Sequence, residues 1–211
     1  MHRPAARTMS GGAPDPAIGL WRRISSNRDD HQMRTALVVV VATVVAAAVL
    51  VGAWRVLGGA SPGFAFLVVW VPMTWLGTLS RVVRPRLPAS YHRLRVFEQD
   101  GRVYEHIGVR AFKRLLRRGP LAVFNPDLHL PADRSPEHLA VLDQRMRDAE
   151  AAHFILLVAT LVVVVHAAAR GWWTATLLTL AFDLLMNGYP VMLQRYNRAL
   201  LQRRYGPLDG A

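Results

Sequence analysis

The sequence predicts an all-α integral membrane protein, with four transmembrane helices and a small cytoplasmic, membrane-associated domain between the second helix and the third. Three observations predict it. Hydrophobic residues fill 52% of the 211 positions, a composition that points to lipid as the solvent. They gather into four runs, Thr35–Leu57, Pro62–Leu79, His153–Ala169 and Trp172–Leu193, each of a length suited to ~30 Å of hydrocarbon at ~1.5 Å per residue. The basic residues largely avoid those runs, and 14 of the 26 fall between the second and the third.

Residues 1–34 are polar, with Pro4, Pro14, Pro16 and the pair Gly11-Gly12, and are expected to form a disordered, basic cytoplasmic tail. Within it Ile18 to Ile24, with Trp21 beside Arg22 and Arg23, either rests on the membrane surface or is a plain basic flank. The first apolar run begins after Arg34 and is too long for the core of a secretory signal, so it is expected to stay as an anchor. Gly58-Gly59-Ala60-Ser61 leaves only a tight turn before the second run, which carries Pro72 between Trp70 and Trp75. Residues 35–79 thus read as a transmembrane hairpin.

Residues 80–149 are basic, irregular and too long for a simple loop, and are expected to form the amphipathic cytoplasmic domain. Val109 to Arg118 sets Phe112, Leu115 and Leu116 near one face, with Arg110, Lys113, Arg114, Arg117 and Arg118 around them. That is the pattern of an interfacial helix, and Gly119-Pro120 ends it. After a Pro- and Asp-punctuated stretch to Asp133, Ser135 before Pro136 and Glu137 supplies a capping hydroxyl and a proline at the first helical position. The helix begun there is expected to run unbroken into the membrane. Residues 150–198 hold the second transmembrane hairpin, turned at Arg170, Gly171 and the interface pair Trp172-Trp173, and residues 199–211 are a cytoplasmic tail.

The net charge of +12 comes almost wholly from arginine, Lys113 being the one lysine. Basic charge beside membrane segments sets topology and meets anionic lipid, so nucleic acid is not an expected partner. Arg55 and Arg170 are the only basic residues near the other two turns, and the positive-inside rule therefore puts both termini and the central domain in the cytoplasm of a multi-pass cell (inner) membrane protein. The absence of cysteine excludes disulfides, thiolate metal sites and a thiol nucleophile. No glycine-rich nucleotide-binding pattern and no Gly-x-Ser-x-Gly elbow occurs.

Chemistry concentrates in Asn187–Arg198, at the end of the last apolar run. Asp183, Asn187, Gln194 and Arg198 are separated by four, seven and four residues, one stripe of a helix. Polar residues within a span mark function, although a Pro-kinked helix with a snorkelling basic end is the plainer alternative. Pro190 removes a donor and frees the carbonyl of Met186, and Gly188 admits another backbone, so a bend is expected. If the third helix runs outward and the fourth inward, Glu150 and His153 lie at the same depth as this stretch. Three residues apart, they share a helix face, so the carboxylate can orient the imidazole, or either can take a proton; the alternative is a helix-end pair wetted by headgroups. As a metal site the pair is incomplete, and no metal is expected. His138 and Asp143 match a His-x4-Asp spacing of glycerolipid acyltransferases, but that spacing puts them on different faces of one helix and reads as coincidence. His92, His106, His129 and His166 have no companion that makes a constellation.

The remaining pattern resembles the glycosyl-diaponeurosporenoate acyltransferase family, small membrane enzymes that esterify a carotenoid glucoside with a fatty acyl group. The resemblance covers about Phe97 to Arg204. It rests on Phe97-Glu98 with Gly101 and Tyr104, Gly108-Val109 before Phe112-Lys113, Glu150-x-x-His153, and Asn187-x-x-Pro190 leading to Gln194-Arg195-Tyr196-Asn197-Arg198, the most specific piece. Phe112 and Phe154 stand where the family has tryptophan, and Ala199-Leu200 replaces its Pro-Arg ending. The resemblance implies transfer of a fatty acyl group from acyl-CoA, a co-substrate rather than a bound cofactor, to a hydroxyl of a lipid or isoprenoid glycoside. In that scheme His153 is the base, Glu150 holds its imidazole, and Asn187 or Gln194 steadies the oxyanion. Arg195, Arg198, Arg114 and Lys113 would grip the donor's phosphates, with Glu98, Asp183, Tyr196 and Asn197 completing the substrate site. Two other readings compete: a non-catalytic adaptor whose basic face holds anionic lipid or a partner protein, and another small membrane transferase moving a methyl or prenyl group. Convergent buried polar residues favour the enzyme; splayed ones favour the adaptor.

Overall fold

The computed structural model describes residues 16–80, 84–118 and 135–206, and among these every regular element is a helix. In order they are α1 (Pro16–Leu57), α2 (Pro62–Leu79), the short α3 (Ala89–His92), a single 3₁₀ turn (Val96–Glu98), α4 (Arg102–His106), α5 (Val109–Arg118), α6 (Pro136–Ala169), α7 (Trp173–Asp183), a π turn (Leu184–Gly188) and α8 (Tyr189–Tyr205). Four helical stretches are long and apolar enough to cross a membrane: Gln32–Leu57, Pro62–Leu79, Pro136–Ala169 and the continuous Trp173–Tyr205. The stretch from Gly119 to Asp133, with His129 and the expected helix stop, lies outside the described residues.

The N-terminal tail is not irregular throughout: α1 begins at Pro16, inside the stretch expected to be disordered. Proline suits a first helical position, and a helix already formed by a long apolar run adds residues at little cost. The chain divides into two compact units at Val41 and Ala42, and the site belongs wholly to the second.

In that unit the first turn is tight for a visible reason. Ser61 Oγ accepts from the Phe64 N–H at 3.1 Å, with Pro62 at the first helical position. A Cβ on Gly59 would lie 2.3 Å from the Trp54 ring, and that ring meets Phe64 edge-on at 5.1 Å. Phe64, Val68 and Val69 then form a core with Phe182 and Met186.

The capped start at Ser135 works as its sequence requires, His138 N–H donating to Ser135 Oγ at 3.4 Å. From it α6 runs unbroken to Ala169, a rod about 50 Å long. The end of the central segment and the third apolar run are therefore one element, packed against α2, α7 and α8.

The bend expected at Pro190 is realised as a widened turn. Proline cannot donate to the Met186 carbonyl, and the helix absorbs the loss one turn earlier, where the Tyr189 N–H reaches back five residues to the Leu184 carbonyl. Asn187 and Gly188 of this turn are buried.

The central segment packs on α8. Tyr104, Val109 and Leu116 form a core with Leu193 and Tyr196, and Phe112 joins it. Much of the apolar face of α5 is thus covered by α8, and Leu115 stays exposed. Gly101, at φ 74°, caps α4 where a Cβ would stand 3.1 Å from the Tyr196 ring.

Candidate active site

The π turn carries Asn187 inward, where its side chain is completely buried between two polar neighbours. Asn187 Nδ2 donates to Asp183 Oδ1 at 2.7 Å, and Asn187 Oδ1 lies 3.1 Å from His153 Nδ1. With Asp183 ionised its oxygens only accept, so the amide NH₂ faces it and the amide oxygen faces the histidine. The facing ring nitrogen is then the protonated one, Nδ1–H, and Nε2 keeps its lone pair. Asp183 is itself fully buried, and its Oδ2 has no hydrogen-bond partner among the described residues. His153 and Asn187, placed together by the sequence argument, do meet.

Glu150 does not join them. Expected to orient His153, it is instead held by two arginines, Arg195 Nη1 at 2.6 Å from Oε1 and Arg198 Nη1 at 3.0 Å from Oε2. The reason is electrostatic: a fully buried carboxylate gains more from charged, directional guanidinium donors than from a neutral imidazole one turn away. Those arginines are correspondingly unavailable as free phosphate grips. Arg195 forks onto Glu98 through Nε at 2.8 Å and Nη2 at 2.7 Å, and donates to the carbonyls of Tyr91 at 3.1 Å and Arg93 at 3.3 Å. Arg198, 1% exposed, binds Asp143 Oδ1 at 3.0 Å and the His92 carbonyl at 2.9 Å. Arg147 closes the row on Asp143 Oδ2 at 2.6 Å. Three carboxylates and three guanidiniums make a charge-balanced network that ties α6 and α8 to the segment from Tyr91 to Glu98.

The network sets its own protonation. Burial alone would raise the Glu98 carboxyl, but hydrogen bonds from Arg195, Tyr104 and the Arg95 backbone N–H outweigh it and hold the group at about 2. Tyr104 donates a hydrogen bond to Glu98; burial and that bond raise its phenol. Tyr91 is pushed up to about 12, by burial first and then by the charge of Glu150. Burial lowers His92, and the neighbouring Glu150 offsets part of that. The His92 Nδ1 sits 3.4 Å from Glu150 Oε2 without a hydrogen bond.

The sequence pairs Asp143 only with His138 and gives His92 no companion, and neither reading places them in this network. Asp143 stands seven residues before Glu150, two turns along one face of α6, and that pair of acidic residues on a buried face was the available signal. His92 offered none.

Outside the network, Lys113 Nζ donates to Asn197 Oδ1 at 2.6 Å and lies 5.5 Å from the centre of the Tyr196 ring. Burial, and then Arg117, lower its ammonium. Tyr196 Oη donates to Glu105 at 2.8 Å. Arg114 is exposed and Gln194 is half-buried. Phe154, next to His153, packs on Tyr91 at 4.6 Å between ring centres.

Among the described residues, then, four helical stretches are long and apolar enough to cross a membrane, and a histidine is held through an asparagine to a buried carboxylate. The chain belongs to the CrtO family, whose model is described as glycosyl-4,4′-diaponeurosporenoate acyltransferase and matches residues 88–206. That range contains every residue of both polar clusters, and the family's name makes a transferase of acyl groups the coarse class. No curated protein and no solved structure matches the chain significantly.

Proposed function

We propose that this protein is a membrane-embedded acyltransferase that moves a fatty acyl group from acyl-CoA to a hydroxyl of a lipid-soluble glycoside, by family a carotenoid glucoside. The observation that carries the reading is the chain from Asp183 through Asn187 to His153, which leaves Nε2 as the basic nitrogen. In the step, Nε2 takes the proton of the acceptor hydroxyl while its oxygen bonds to the thioester carbonyl carbon. The carbon–sulfur bond then breaks and the proton passes to the departing thiolate, returning a neutral imidazole. Asn187 and the carboxylate behind it stabilise the transient imidazolium. Asn187 has both ends of its amide engaged, so Gln194 is left as the oxyanion donor.

The donor's phosphates fall to α5, where Arg114 is exposed and Lys113 stands beside Asn197; Arg195 and Arg198 support the site from within their network. The four apolar helices would span the cell membrane with the central segment and both termini cytoplasmic, and the acceptor would enter sideways from the bilayer. The convergence of buried polar groups favours this enzyme over an adaptor. Purified protein in lipid nanodiscs, given labelled acyl-CoA and a lipid glycoside, should release free CoA and form labelled ester in equal amounts. Consumption of no acyl donor would return the adaptor reading.

A further inference from the structure

We infer that α5 lies flat in the membrane interface, across α8, with Ile107 and Leu115 immersed among acyl chains and its cationic flank at the level of the lipid phosphates. The contacts with α8 fix the orientation. Phe112 and Lys113 are neighbours in sequence, yet the Phe112 ring packs on Tyr189 at 5.1 Å while Lys113 reaches Asn197 at 2.6 Å. Those partners are eight residues apart on α8, about 12 Å along its axis, so α5 crosses α8 steeply and presents one flank to each end of it.

The two ends differ in kind. Towards Tyr189 the helix continues into exposed Leu184 and Leu185, and towards Asn197 it continues into Arg203 and Arg204, so the Tyr189 side is the deeper one. At about 100° per residue, Leu115 falls on the same flank as Phe112, and Arg110, Arg114 and Arg117 fall on the flank of Lys113. The exposed apolar residue therefore faces lipid and the cations face water, the division an interfacial helix requires.

The corner before α5 agrees. Ile107 is 45% exposed although apolar, and Gly108, at φ 84°, turns the chain there. A backbone carbonyl sunk in lipid needs an internal donor, and Tyr189 Oη supplies one to the Ile107 carbonyl at 3.0 Å. That bond holds the corner at the depth of Tyr189.

The natural chain has no cysteine, so spin labels can be placed singly at Ile107→Cys, Leu115→Cys, Arg110→Cys and Arg114→Cys in the full-length protein, reconstituted in phosphatidylcholine–phosphatidylglycerol vesicles. Relaxation by oxygen, which concentrates in lipid, is compared with relaxation by a water-soluble nickel chelate. Labels at 107 and 115 should respond to oxygen and not to nickel, and those at 110 and 114 should show the reverse. Nickel reaching 107 and 115 as readily as 114 would overturn the proposal in favour of water, and shielding of both from both agents would overturn it in favour of a protein contact. Two independent apolar positions keep the test alive if one variant misfolds.

Discussion

His153 Nδ1 and Asn187 Oδ1 lie 3.1 Å apart, joining the middle of α6 to the π turn that precedes α8. Because Asp183 holds the amide NH₂ at 2.7 Å, turning the amide over would set its oxygen against a carboxylate. The carboxylate therefore dictates the histidine tautomer at one remove, through an asparagine that transmits the orientation.

The first consequence concerns which residues act as a unit. His153 and Asn187 should be strongly non-additive: Asn187→Ala should lower turnover, and the double variant should be no slower than His153→Ala alone. Glu150→Gln should instead show itself in stability, since its partners are Arg195 and Arg198. A cycle of acyl-transfer rates in which the His153 and Asn187 losses multiply would separate the two residues.

The ion network should be costly to break in part. Removing one member of a buried, hydrogen-bonded pair leaves a charge without compensation, typically worth ~3–5 kcal/mol, so Asp143→Ala should lower stability by about that much. The control is Arg102→Ala, whose 3.7 Å pair with Asp100 is exposed at both ends and should change stability by less than ~0.5 kcal/mol. Denaturant unfolding in detergent measures both. Equal effects would mean that the network contributes no more than a surface pair.

Glu98 gives a pH dependence with a definite sign. Its folded carboxyl is held at about 2, below the ordinary 4.5, so the folded state binds its proton less readily than the unfolded chain does. The stabilisation is present in full above the ordinary value and is lost as pH falls from there towards 2. Thermal midpoints taken between pH 6 and 3 should fall more steeply for the natural protein than for Glu98→Gln. Parallel curves would contradict the assignment.

Much of this arrangement was legible before the structure. Four apolar runs, the Ser135-Pro136 start and the polar stripe around Asn187 follow from composition and helical period, which are local properties. The partner of Glu150 was not legible, because His153 is three residues away in sequence while Arg195 and Arg198 reach it only after α6 and α8 pack. Periodicity says which residues share a face and nothing of what the face meets. The π turn is similar: Pro190 announced a lost hydrogen bond, but how the helix absorbed it depended on burying Asn187 against Asp183. The five-residue step from His138 to Asp143 matches a motif but puts the two on different faces of α6, and the spacing that matters is the seven-residue step from Asp143 to Glu150.

Topology is testable in cells. With 14 of 26 basic residues in the central segment, Arg102→Cys should be protected from an impermeant thiol reagent in intact cells, and Arg170→Cys in the turn between α6 and α7 should react. Both side chains are exposed, so burial cannot explain protection. Labelling in the reverse order would place the donor site on the wrong side for cytosolic acyl-CoA.

The central claim, that His153 is the base of an acyl transfer, is tested most directly by the turnover number of purified His153→Ala with labelled acyl-CoA and a lipid glycoside. General-base catalysis is typically worth ~10²- to 10⁴-fold, and kcat should fall by that factor while the thermal midpoint and detergent extraction match the natural protein. Unchanged kcat in a folded His153→Ala protein would contradict it.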